Sequence, residues 1–234
     1  MKFESWRSRG KLKQLKNSQV GKKAIILCNG PSANDVDFNL LGDVYTFGLN
    51  KINLLFDKTN FRPSSIVAVN PHVIKQNRDF YNSTNIPLFL DNYALEYGVR
   101  SQASKIFLHS TGIPAFSTDC SNSIYEGYTV TYVAMQLAYH MGFKEVALLG
   151  CDHYFGDIVI PNITEKKEGP DQWHFDENYF SNGDDWHTPD LLQSECSYNM
   201  AMLAYHQDGR KLFNATAGSH LRLLPKISIE DFIR

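Results

Sequence analysis

Three asparagines stand at equivalent points along this chain, each at the end of a short apolar run. They are Asn29, Asn50 and Asn70. An amide side chain carries two N–H donors and one acceptor oxygen, so a cluster of amides suits the hydroxyls of a ribose or the edge of a base. Any one of them could instead close a turn or cap a helix. Together they indicate a polar ligand site at one edge of a sheet, and both interpretations stay open.

The turn that follows the first run reads Asn29-Gly30-Pro31-Ser32 and predicts a strand, a tight turn and a helix. Gly30 lets the main chain approach a ligand closely, and Pro31 fixes the turn. The backbone amides at such a helix start can bind a phosphate group. Residues that could cap the helix are Ser32, Asn34 and Asp35. An ordinary turn between a strand and a helix is the alternative interpretation.

A second polar cluster follows a later apolar run, in the sequence Gly150-Cys151-Asp152-His153-Tyr154. Asp152 could bind sugar hydroxyls, cap a helix or contact a base, and the hydroxyl of Tyr154 could hydrogen-bond a phosphate. Two further histidines, His174 and His187, each stand beside a tryptophan and an aspartate. Histidine can remove a proton from a hydroxyl near neutral pH, and a nearby carboxylate raises its basicity. Both histidines and Tyr154 are therefore candidate catalytic residues.

The elements that must position these residues alternate between short β-rich runs and helical patterns. Strands are predicted at Ala24–Cys28, Val44–Gly48, Ile66–Val69, Pro87–Leu90, Lys105–Leu108, Val146–Leu149 and Lys211–Asn214. Helices are predicted over Thr129–Met141 and Pro189–Gln207, with shorter ones near Phe38–Leu41, Ile52–Phe56 and His72–Arg78. Strands separated by helices imply an α/β fold with a mostly parallel sheet, right-handed crossovers and helices on both faces.

The stretch from about residue 152 to 188 has a different composition. It is rich in Asp, Asn, Gly, Pro, His and aromatic residues and shows no sustained periodicity. A long loop inside a compact domain is rare unless it serves a function, typically as a lid. This one begins at the carboxyl end of a predicted strand, where open α/β sheets bind ligands. We expect a flexible cover over the active site, with a poorly ordered insertion as the alternative.

Charge and length suggest a basic arm, residues 1–21, before one catalytic domain, residues 22–234. Residues 1–23 carry eight basic residues against one acidic residue, a net charge of +7, which leaves −9 on the remainder. Such a segment could be a poorly ordered, solvated leader, or it could touch an anionic membrane surface. The body lacks a basic face with interleaved aromatic residues, so nucleic acid is not an expected partner.

Compartment and cofactors follow from what the sequence does and does not contain. The four cysteines are widely separated, which favours reduced thiols in a cytoplasmic protein, and no apolar run reaches the roughly 20 residues of a membrane span. P-loop, G-x-G-x-x-G and G-x-S-x-G motifs are absent. Asp35-Val-Asp37 has the D-x-D pattern of metal-dependent glycosyltransferases, but we expect it in the first turn of the first helix, where acidic residues favour the helix dipole. Asp184-Asp185 is a second, weaker metal candidate.

The motifs as a set resemble the DUF115 or MptE-like family, whose name refers to 6-hydroxymethylpterin diphosphokinases. The landmarks are Asn29-Gly30-Pro31-Ser32, Phe47–Lys51, Asn70-Pro71, Tyr125–Thr131 and Gly150–His153. The resemblance covers roughly residues 22–234. It implies a role in bacterial surface-polysaccharide assembly for many members, and it implies a homo-oligomer by analogy.

The same landmarks are similar to the family 42 bacterial sialyltransferases, which implies a Rossmann-like fold of the GT-A variant type with a lid. Their Gly-Asn-Gly-Pro-Ser turn matches residues 28–32, with Cys28 in place of the first glycine. The resemblance implies nucleotide contacts at Asn29, Gly30, Pro31, Ser32, Asn50, Asn70, Gly127, Thr129 and Asp152. Their catalytic histidine fits His187 best, with His174 as competitor. The lid departs strongly from theirs.

We therefore expect a cytoplasmic glycosyltransferase, peripheral to the inner face of the membrane if the basic arm binds there. Its donor would be a CMP-linked or related sugar, its acceptor a glycan or a lipid-linked sugar, and it would require no cofactor. The first alternative is a pyrophosphokinase that uses ATP and Mg²⁺, with Asp35, Asp37, Asp152 and Asp184 as candidate ligands. The second alternative is a nucleotide-binding or scaffold protein without catalysis.

Overall fold

The computed structural model describes residues 2–156 and 160–234, with side chains described from Glu4 onward. Met1 of the predicted arm and residues 157–159 of the predicted lid therefore lie outside the described residues. The strands, in chain order, are β1 (Lys23–Leu27), β2 (Tyr45–Leu49), β3 (Ser65–Ala68), β4 (Leu88–Asp91), β5 (Lys105–Leu108), β6 (Ser110–Thr111), β7 (Ile124–Tyr125), β8 (Glu145–Leu149), β9 (Thr164–Lys166), β10 (Asp185–His187) and β11 (Lys211–Asn214).

Seven of these strands form one parallel sheet in the order β11-β8-β1-β2-β3-β4-β5. The chain starts at the centre with β1, moves outward to β5, and then returns to β8 on the other side of β1. The strand order therefore reverses between β1 and β8, where Leu27 pairs with Leu149. Open α/β sheets bind their ligands outside the carboxyl ends of the strands at such a reversal. The prediction of a Rossmann-like α/β fold is confirmed.

Helices cover both faces of this sheet. They are α1 (Lys2–Leu15), α2 (Pro71–Gln76), α3 (Arg78–Ser83), α4 (Val130–Met141), α5 (Leu191–Gln207) and α6 (Ile229–Ile233). Because side chains alternate across a strand, Ile26 of β1 joins the core beneath α1, α4 and α5. Ile25 and Leu27 join the opposite core, which includes α2 and α6. The two long predicted helices are confirmed as α4 and α5, and Thr129 caps α4 by accepting a bond from the amide of Thr131.

The helix predicted directly after the first strand is wrong in type. Residues Pro31–Asp35 form a short 3₁₀ helix, Gly30 precedes it, and no side chain caps it. Asp35 therefore ends that helix instead of lying in its first turn. Asp37 caps the next 3₁₀ turn, Phe38–Leu41, by accepting the amide proton of Asn39 at 3.0 Å. A five-residue 3₁₀ helix aligns few peptide dipoles, so this turn offers a phosphate much less than an α-helix would.

The N-terminal segment is a helix packed against the sheet, so the expectation of a poorly ordered leader is wrong. Strand β5 is an edge strand, and α1 covers that edge. The Ser8 hydroxyl accepts the Phe107 amide proton at 2.9 Å, and the Arg7 guanidinium donates to the Lys105 carbonyl at 3.2 Å. The unpaired backbone groups of an exposed edge strand can pair with other chains, and side chains of α1 hydrogen-bond to some of these groups in β5.

Several basic residues of the segment bind the body of the protein. Lys16 pairs with Asp119 at 2.6 Å, Lys11 donates to the Ala103 carbonyl, and Arg7 also reaches the carbonyl of Gln102 at 3.1 Å. Exposed basic side chains that remain in the segment are Arg9, Lys13 and Lys22. Binding to an anionic membrane surface stays a prediction that would rest on fewer charges than the sequence suggests. Within the described residues, no helix is both long enough and apolar enough to cross a bilayer.

Leu12 provides a test of this packing. Its side chain is 1% exposed in the core beneath α4, so Leu12→Ala should lower the free energy of unfolding by about 2–5 kcal/mol. Trp6 lies on the same helix and is 74% exposed, so Trp6→Ala is the matched control, with a change within about 0.5 kcal/mol. Urea unfolding followed by circular dichroism measures both. Equal, small effects would show that α1 is not docked in solution.

Candidate functional site

A cleft runs along the carboxyl ends of the parallel strands, and its narrower part lies at the reversal of strand order. This part has a volume of about 150 Å³. The tip of β1 contributes Asn29 and Gly30 to its lining, and the tip of β8 contributes Asp152 and His153. It therefore lies where an α/β sheet of this topology binds ligands.

The wider part of the cleft extends toward β3 and β4 and has a volume of about 830 Å³. Asn70 lines it beyond β3 and Tyr93 beyond β4, while Phe180 and Trp186 come from the predicted lid. The two parts share the lining residues Asn50, Tyr128, Thr129, Val130, Phe155, His174 and Pro189. They are therefore one continuous cleft, large enough for a ligand of drug-like size or more.

The three strand-end asparagines all line this cleft, but their side chains differ in hydrogen bonding. The Oδ1 atoms of Asn29 and Asn50 are buried and have no hydrogen-bond partner among the described residues. A buried, unpaired amide oxygen is costly, and a ligand donor would satisfy it. Asn70 instead caps α2, because its Oδ1 accepts the amide protons of His72 and Val73 at 2.9 and 3.3 Å. The shared-site interpretation thus fits Asn29 and Asn50, and the capping interpretation fits Asn70.

The turn predicted to bind a phosphate already has hydrogen-bond partners within the protein. The Gly30 amide donates to the Gly150 carbonyl at 2.9 Å, and the Asp152 carboxylate accepts the Ser32 hydroxyl at 2.8 Å and the Ser32 amide at 3.3 Å. Asp152 thus occupies the place in this turn that an anion would take. In this structure those amides are therefore occupied, and phosphate binding from Gly30 through Pro31 to Ser32 stays a prediction that would require Asp152 to move.

Two α-helix N-termini open onto the cleft instead. The start of α4, with Thr129 and Thr131, lines the narrow part, and the start of α5, with Leu191 and Ser194, lines it from another side. Helix N-termini carry a partial positive charge and unpaired amides, which favour anions. Among residues 2–156 and 160–234, no Lys or Arg lines either part. Attraction for an anion here comes from helix dipoles, amides and hydroxyls.

Backbone strain concentrates in the same cleft. Asn50, Tyr128 and His153 have φ angles of 49°, 63° and 56°, and all three line the narrow part. Asn adopts this left-handed conformation readily, but it is a real outlier for Tyr. Strained residues of this kind persist where the surrounding structure holds them and cluster at functional sites.

In its described part, the segment predicted as a flexible lid is held against the sheet by hydrogen bonds and an ion pair. The buried Lys51 ammonium donates to the Tyr179 carbonyl at 2.6 Å, and Lys58 pairs with Asp176 at 2.8 Å. The Phe175 amide donates to the Asn29 carbonyl at 3.0 Å. Aromatic residues of this segment that join the core are Phe175, Tyr179, Phe180 and Trp186. In its described part the segment is a packed roof, because these aromatic side chains bury their surface against the tips of the strands.

His174 lies in this roof at the junction of the two parts of the cleft. Its Nδ1 lies 2.8 Å from Oδ2 of the buried Asp171, and its ring stacks on Tyr179 with a centroid distance of 3.9 Å. Burial lowers the pKa of His174 and outweighs the opposite effect of Asp171. The imidazole is therefore neutral at pH 7 and donates Nδ1–H to Asp171. Its Nε2 has no partner among the described residues, which is the arrangement of a general base.

His187, the histidine favoured by resemblance, occupies a different setting. It lies on β10 in the wide part of the cleft, and its side chain is exposed. Its Nδ1 is 3.2 Å from the Thr164 hydroxyl, and no carboxylate pairs with it within the described part of the chain. Geometry therefore favours His174 over His187 as a base.

A second histidine–carboxylate pair was missed by sequence reasoning. The Nε2 of His153 lies 3.0 Å from Oε1 of Glu195 on α5, and the ring lines the narrow part of the cleft. Burial lowers the pKa of His153, and Glu195 opposes that effect without cancelling it. His153 stands in the polar cluster after β8, but its partner lies 42 residues further along, so only the folded chain brings them together. Because the neutral imidazole donates Nε2–H to Glu195, the Nδ1 atom of His153 can accept a hydrogen bond from a ligand.

Tyr154 lies on the rim of the narrow part. Its ring stacks on His220 with a centroid distance of 4.8 Å and meets Trp173 edge-on at 5.8 Å. Gly127 lies at the entrance to α4 and lines the wide part, where an added Cβ would approach Tyr132. Both residues line the cleft, Gly127 only in its wide part, and the roles predicted for them stay predictions.

The carboxylates proposed as Mg²⁺ ligands are dispersed. Asp152 binds Ser32, and Asp184 accepts the Ser181 amide proton at 2.9 Å and faces Lys51 at 3.8 Å. Asp35 and Asp37 belong to the 3₁₀ turns described above. In the described ranges, no group of three or more His, Cys, Asp or Glu side chains is arranged to hold a metal ion.

Comparisons with known proteins agree with the fold. The family model described as 6-hydroxymethylpterin diphosphokinase MptE-like matches residues 1–157, which confirms the resemblance seen in the motifs. A similar solved structure is described as MAf glycosyltransferase from Magnetospirillum magneticum AMB-1, with a TM-score of 0.58 and 13% identity. The match covers 97% of this chain and 39% of that one, so this chain spans about two fifths of its length. No curated protein matches the sequence.

Gly30 tests the contact that fills the first turn. A Cβ at this position would lie 1.9 Å from Oδ2 of Asp152, so Gly30→Ala should cost about 1–3 kcal/mol of stability through overpacking. Asp152→Ala in the same chain should recover part of that loss. Gly112 has open space around its Cβ position and serves as the matched control. Chemical unfolding measures all variants, and a Gly30→Ala effect no larger than that of Gly112→Ala would contradict the contact.

Proposed function

The chain belongs to the MptE-like family, and from this premise and the chemistry of the cleft we propose that it is a glycosyltransferase with a nucleotide-activated sugar as donor. The observation that carries the proposal is the neutral His174 imidazole, oriented by Asp171 at the junction of the two parts of the cleft. A base at a junction can act on a hydroxyl from one side while a leaving group departs toward the other.

The donor is a sugar linked to a nucleoside monophosphate, as in CMP-sugars. Its nucleotide occupies the narrow part, where Asn29 and Asn50 offer unpaired amide oxygens to ribose hydroxyls or a base. Its single phosphate charge faces the start of α4 at Thr129. The lack of Lys and Arg in the described lining supports one phosphate over two or three, because each further charge would need its own counter-charge.

The reaction is a displacement at the anomeric carbon. His174 Nε2 takes the proton of the acceptor hydroxyl, and the acceptor oxygen forms a bond to that carbon. The bond from the carbon to the phosphate oxygen breaks, and the nucleoside monophosphate leaves with the electron pair. Hydroxyl groups of Tyr154 and Thr129, which line the narrow part, donate hydrogen bonds to the leaving phosphate, and His153 is held beside them by Glu195.

A diphosphokinase is the second candidate, because the family model carries that description. It would transfer a diphosphate from ATP to an alcohol and would need Mg²⁺ and several converging carboxylates. The dispersed positions of Asp35, Asp37, Asp152 and Asp184 support it less well than the histidine pairs support glycosyl transfer. A scaffold without catalysis leaves the unpaired Asn29 and Asn50 oxygens unexplained.

The cellular role is proposed on family resemblance alone. We propose assembly of bacterial surface polysaccharide, in the cytoplasm or at the inner face of the membrane, with a glycan or lipid-linked sugar as acceptor. A homo-oligomer is proposed on the same ground.

A panel of nucleotides tests the class of donor. CMP at about 100 times its dissociation constant should stabilise the fold by about 2.7 kcal/mol, seen as a rise in the melting temperature. The rise should be smaller for CDP, and it should persist in EDTA. Asn29→Ala should reduce it, because that variant removes an unpaired acceptor from the narrow part.

The other outcomes of the panel separate the alternatives. A melting temperature that rises only with ATP and Mg²⁺, and falls back when EDTA is added, would support the diphosphokinase and contradict the proposal. No response to any nucleotide would support the scaffold.

His174 tests the mechanism. With CMP-N-acetylneuraminate as the donor probe and release of CMP as the signal, His174→Ala should lower kcat by about 10²–10⁴-fold. The active base is the neutral form, and burial lowers the pKa of His174. The wild-type rate should therefore hold as the pH falls through about 6.5, the ordinary histidine value, and decline only in more acidic solution.

Two further histidines serve as references for this experiment. His206 lies exposed at the end of α5, away from the cleft, and His206→Ala should retain the wild-type rate. His187→Ala tests the competing base directly. If His187→Ala abolishes turnover while His174→Ala does not, the assignment made from the Asp171 contact is wrong.

A further inference from the structure

The wide part of the cleft has two exposed aromatic rings at its walls. Tyr93, after β4, is 47% exposed, and Tyr128, before α4, is 51% exposed. Both line this part, and Tyr128 also lines the narrow part. Large exposed aromatic side chains are unfavourable in water, and a rim of them around a cavity marks a surface that receives a ligand.

Tyr128 has a strained backbone conformation. Its φ angle is 63°, directly after Gly127 at 61°, so the chain makes two left-handed residues in succession. Glycine accepts this conformation freely, whereas a bulky tyrosine does not. Asparagine at this position would relieve much of the strain. A strained, half-exposed tyrosine at the mouth of a cavity is retained for what its ring contacts.

A carboxyl group belongs to the lining of the same cavity. Glu126 lines the wide part beside Tyr125 and Gly127. Behind it, Asp91 is fully buried, accepts the Tyr93 amide proton at 3.0 Å and is hydrogen-bonded to the Ser110 hydroxyl. Burial and the nearby Asp91 charge raise the pKa of Glu126, so this end of the cavity disfavours further negative charge.

Tyr179 forms a buried part of the wall of this cavity. It is 1% exposed, and its ring stacks on His174 with a centroid distance of 3.9 Å. Its hydroxyl lies beside the Asn50 side chain and the Lys51 backbone, so the ring is what Tyr179 offers to a ligand.

We propose that the wide part of the cleft is the binding site for an uncharged sugar ring, which stacks on Tyr128 and Tyr93 and hydrogen-bonds to Glu126. The face of an aromatic ring is electronegative and attracts the slightly positive C–H face of a pyranose. The Glu126 carboxyl accepts hydrogen bonds from sugar hydroxyls. An anionic sugar is excluded, because its charge would face Glu126 and the buried Asp91. This inference rests on the proposed function in one respect, since it makes the ring the acceptor.

Sugar binding can be measured without any donor. The probes are lactose, methyl β-glucopyranoside, methyl α-mannopyranoside and N-acetylglucosamine, with glucuronic acid as the charged counterpart of the glucoside. Saturation-transfer NMR with the full chain should give signals from the ring protons of at least one neutral probe and none from glucuronic acid. Absence of signal from every neutral probe would overturn the proposal.

Variants identify the residues that bind. Tyr128→Ala should weaken binding by about three- to tenfold, whereas Tyr128→Phe should retain it, because the ring face makes the contact. Glu126→Gln removes one of the two carboxyl groups at this end and should weaken the discrimination against glucuronic acid. Trp6→Ala removes a still more exposed aromatic ring far from the cleft and should change nothing. Equal binding by Tyr128→Ala and the wild type would contradict the stacking.

A stability measurement separates a binding role from a structural one. Tyr128→Asn should raise the melting temperature by roughly 2–4 °C through relief of strain while sugar binding is lost. A lower melting temperature would mean that the ring supports the fold, which would overturn the proposal.

The donor test and the sugar test fail independently. If CMP does not bind but the neutral sugar does, the proposed function fails and the sugar site stands. If CMP binds and no neutral sugar does, the sugar site alone fails.

Discussion

The contact between the tips of β1 and β8 is the constraint on which the cleft depends. Asp152 lies against Gly30 and binds Ser32, and this joins the two strands at the point where the strand order reverses. Only a residue without a Cβ leaves room for that carboxylate. In this contact the Gly30 and Ser32 amides already have hydrogen-bond acceptors, so in this conformation an anion would bind to amides at the starts of other helices. The start of α4 becomes the best-placed of these.

The roof over the strand tips determines which chemistry is available beneath it. Because Phe175, Tyr179 and Phe180 are packed into the core, His174 and Asp171 are removed from water together. Removal from water keeps the imidazole neutral, and the carboxylate fixes its tautomer. The roof depends in turn on Lys51, whose ammonium holds the Tyr179 carbonyl from below. The packing of the roof therefore also sets the protonation state of His174.

The linings of the two ends of the cleft differ in charge and in polarity. The narrow end combines helix N-termini with unpaired amide oxygens and suits a nucleotide with little charge. The wide end combines exposed tyrosine rings with a carboxyl group and suits an uncharged polyol. The mean composition of the chain, with 13% aromatic residues, gives no hint of this division. It arises because loops from β3, β4 and the roof meet at one edge of the sheet.

The sequence by itself determined the seven strands of the central sheet, the two long helices and the position of the asparagines at strand ends, because alternation of apolar residues and helix periodicity are local properties. Asp171 stands only three residues before His174, but no sequence pattern singled it out as the partner of that histidine. Only the tertiary structure decided that a 3₁₀ turn follows β1, that Asp152 fills that turn, and that α1 covers β5. It alone joined His153 to Glu195 and placed Tyr93 and Tyr128 in one cavity. Each of these depends on contacts between residues far apart in the chain, and local pattern carries no information about which distant partner a side chain will meet.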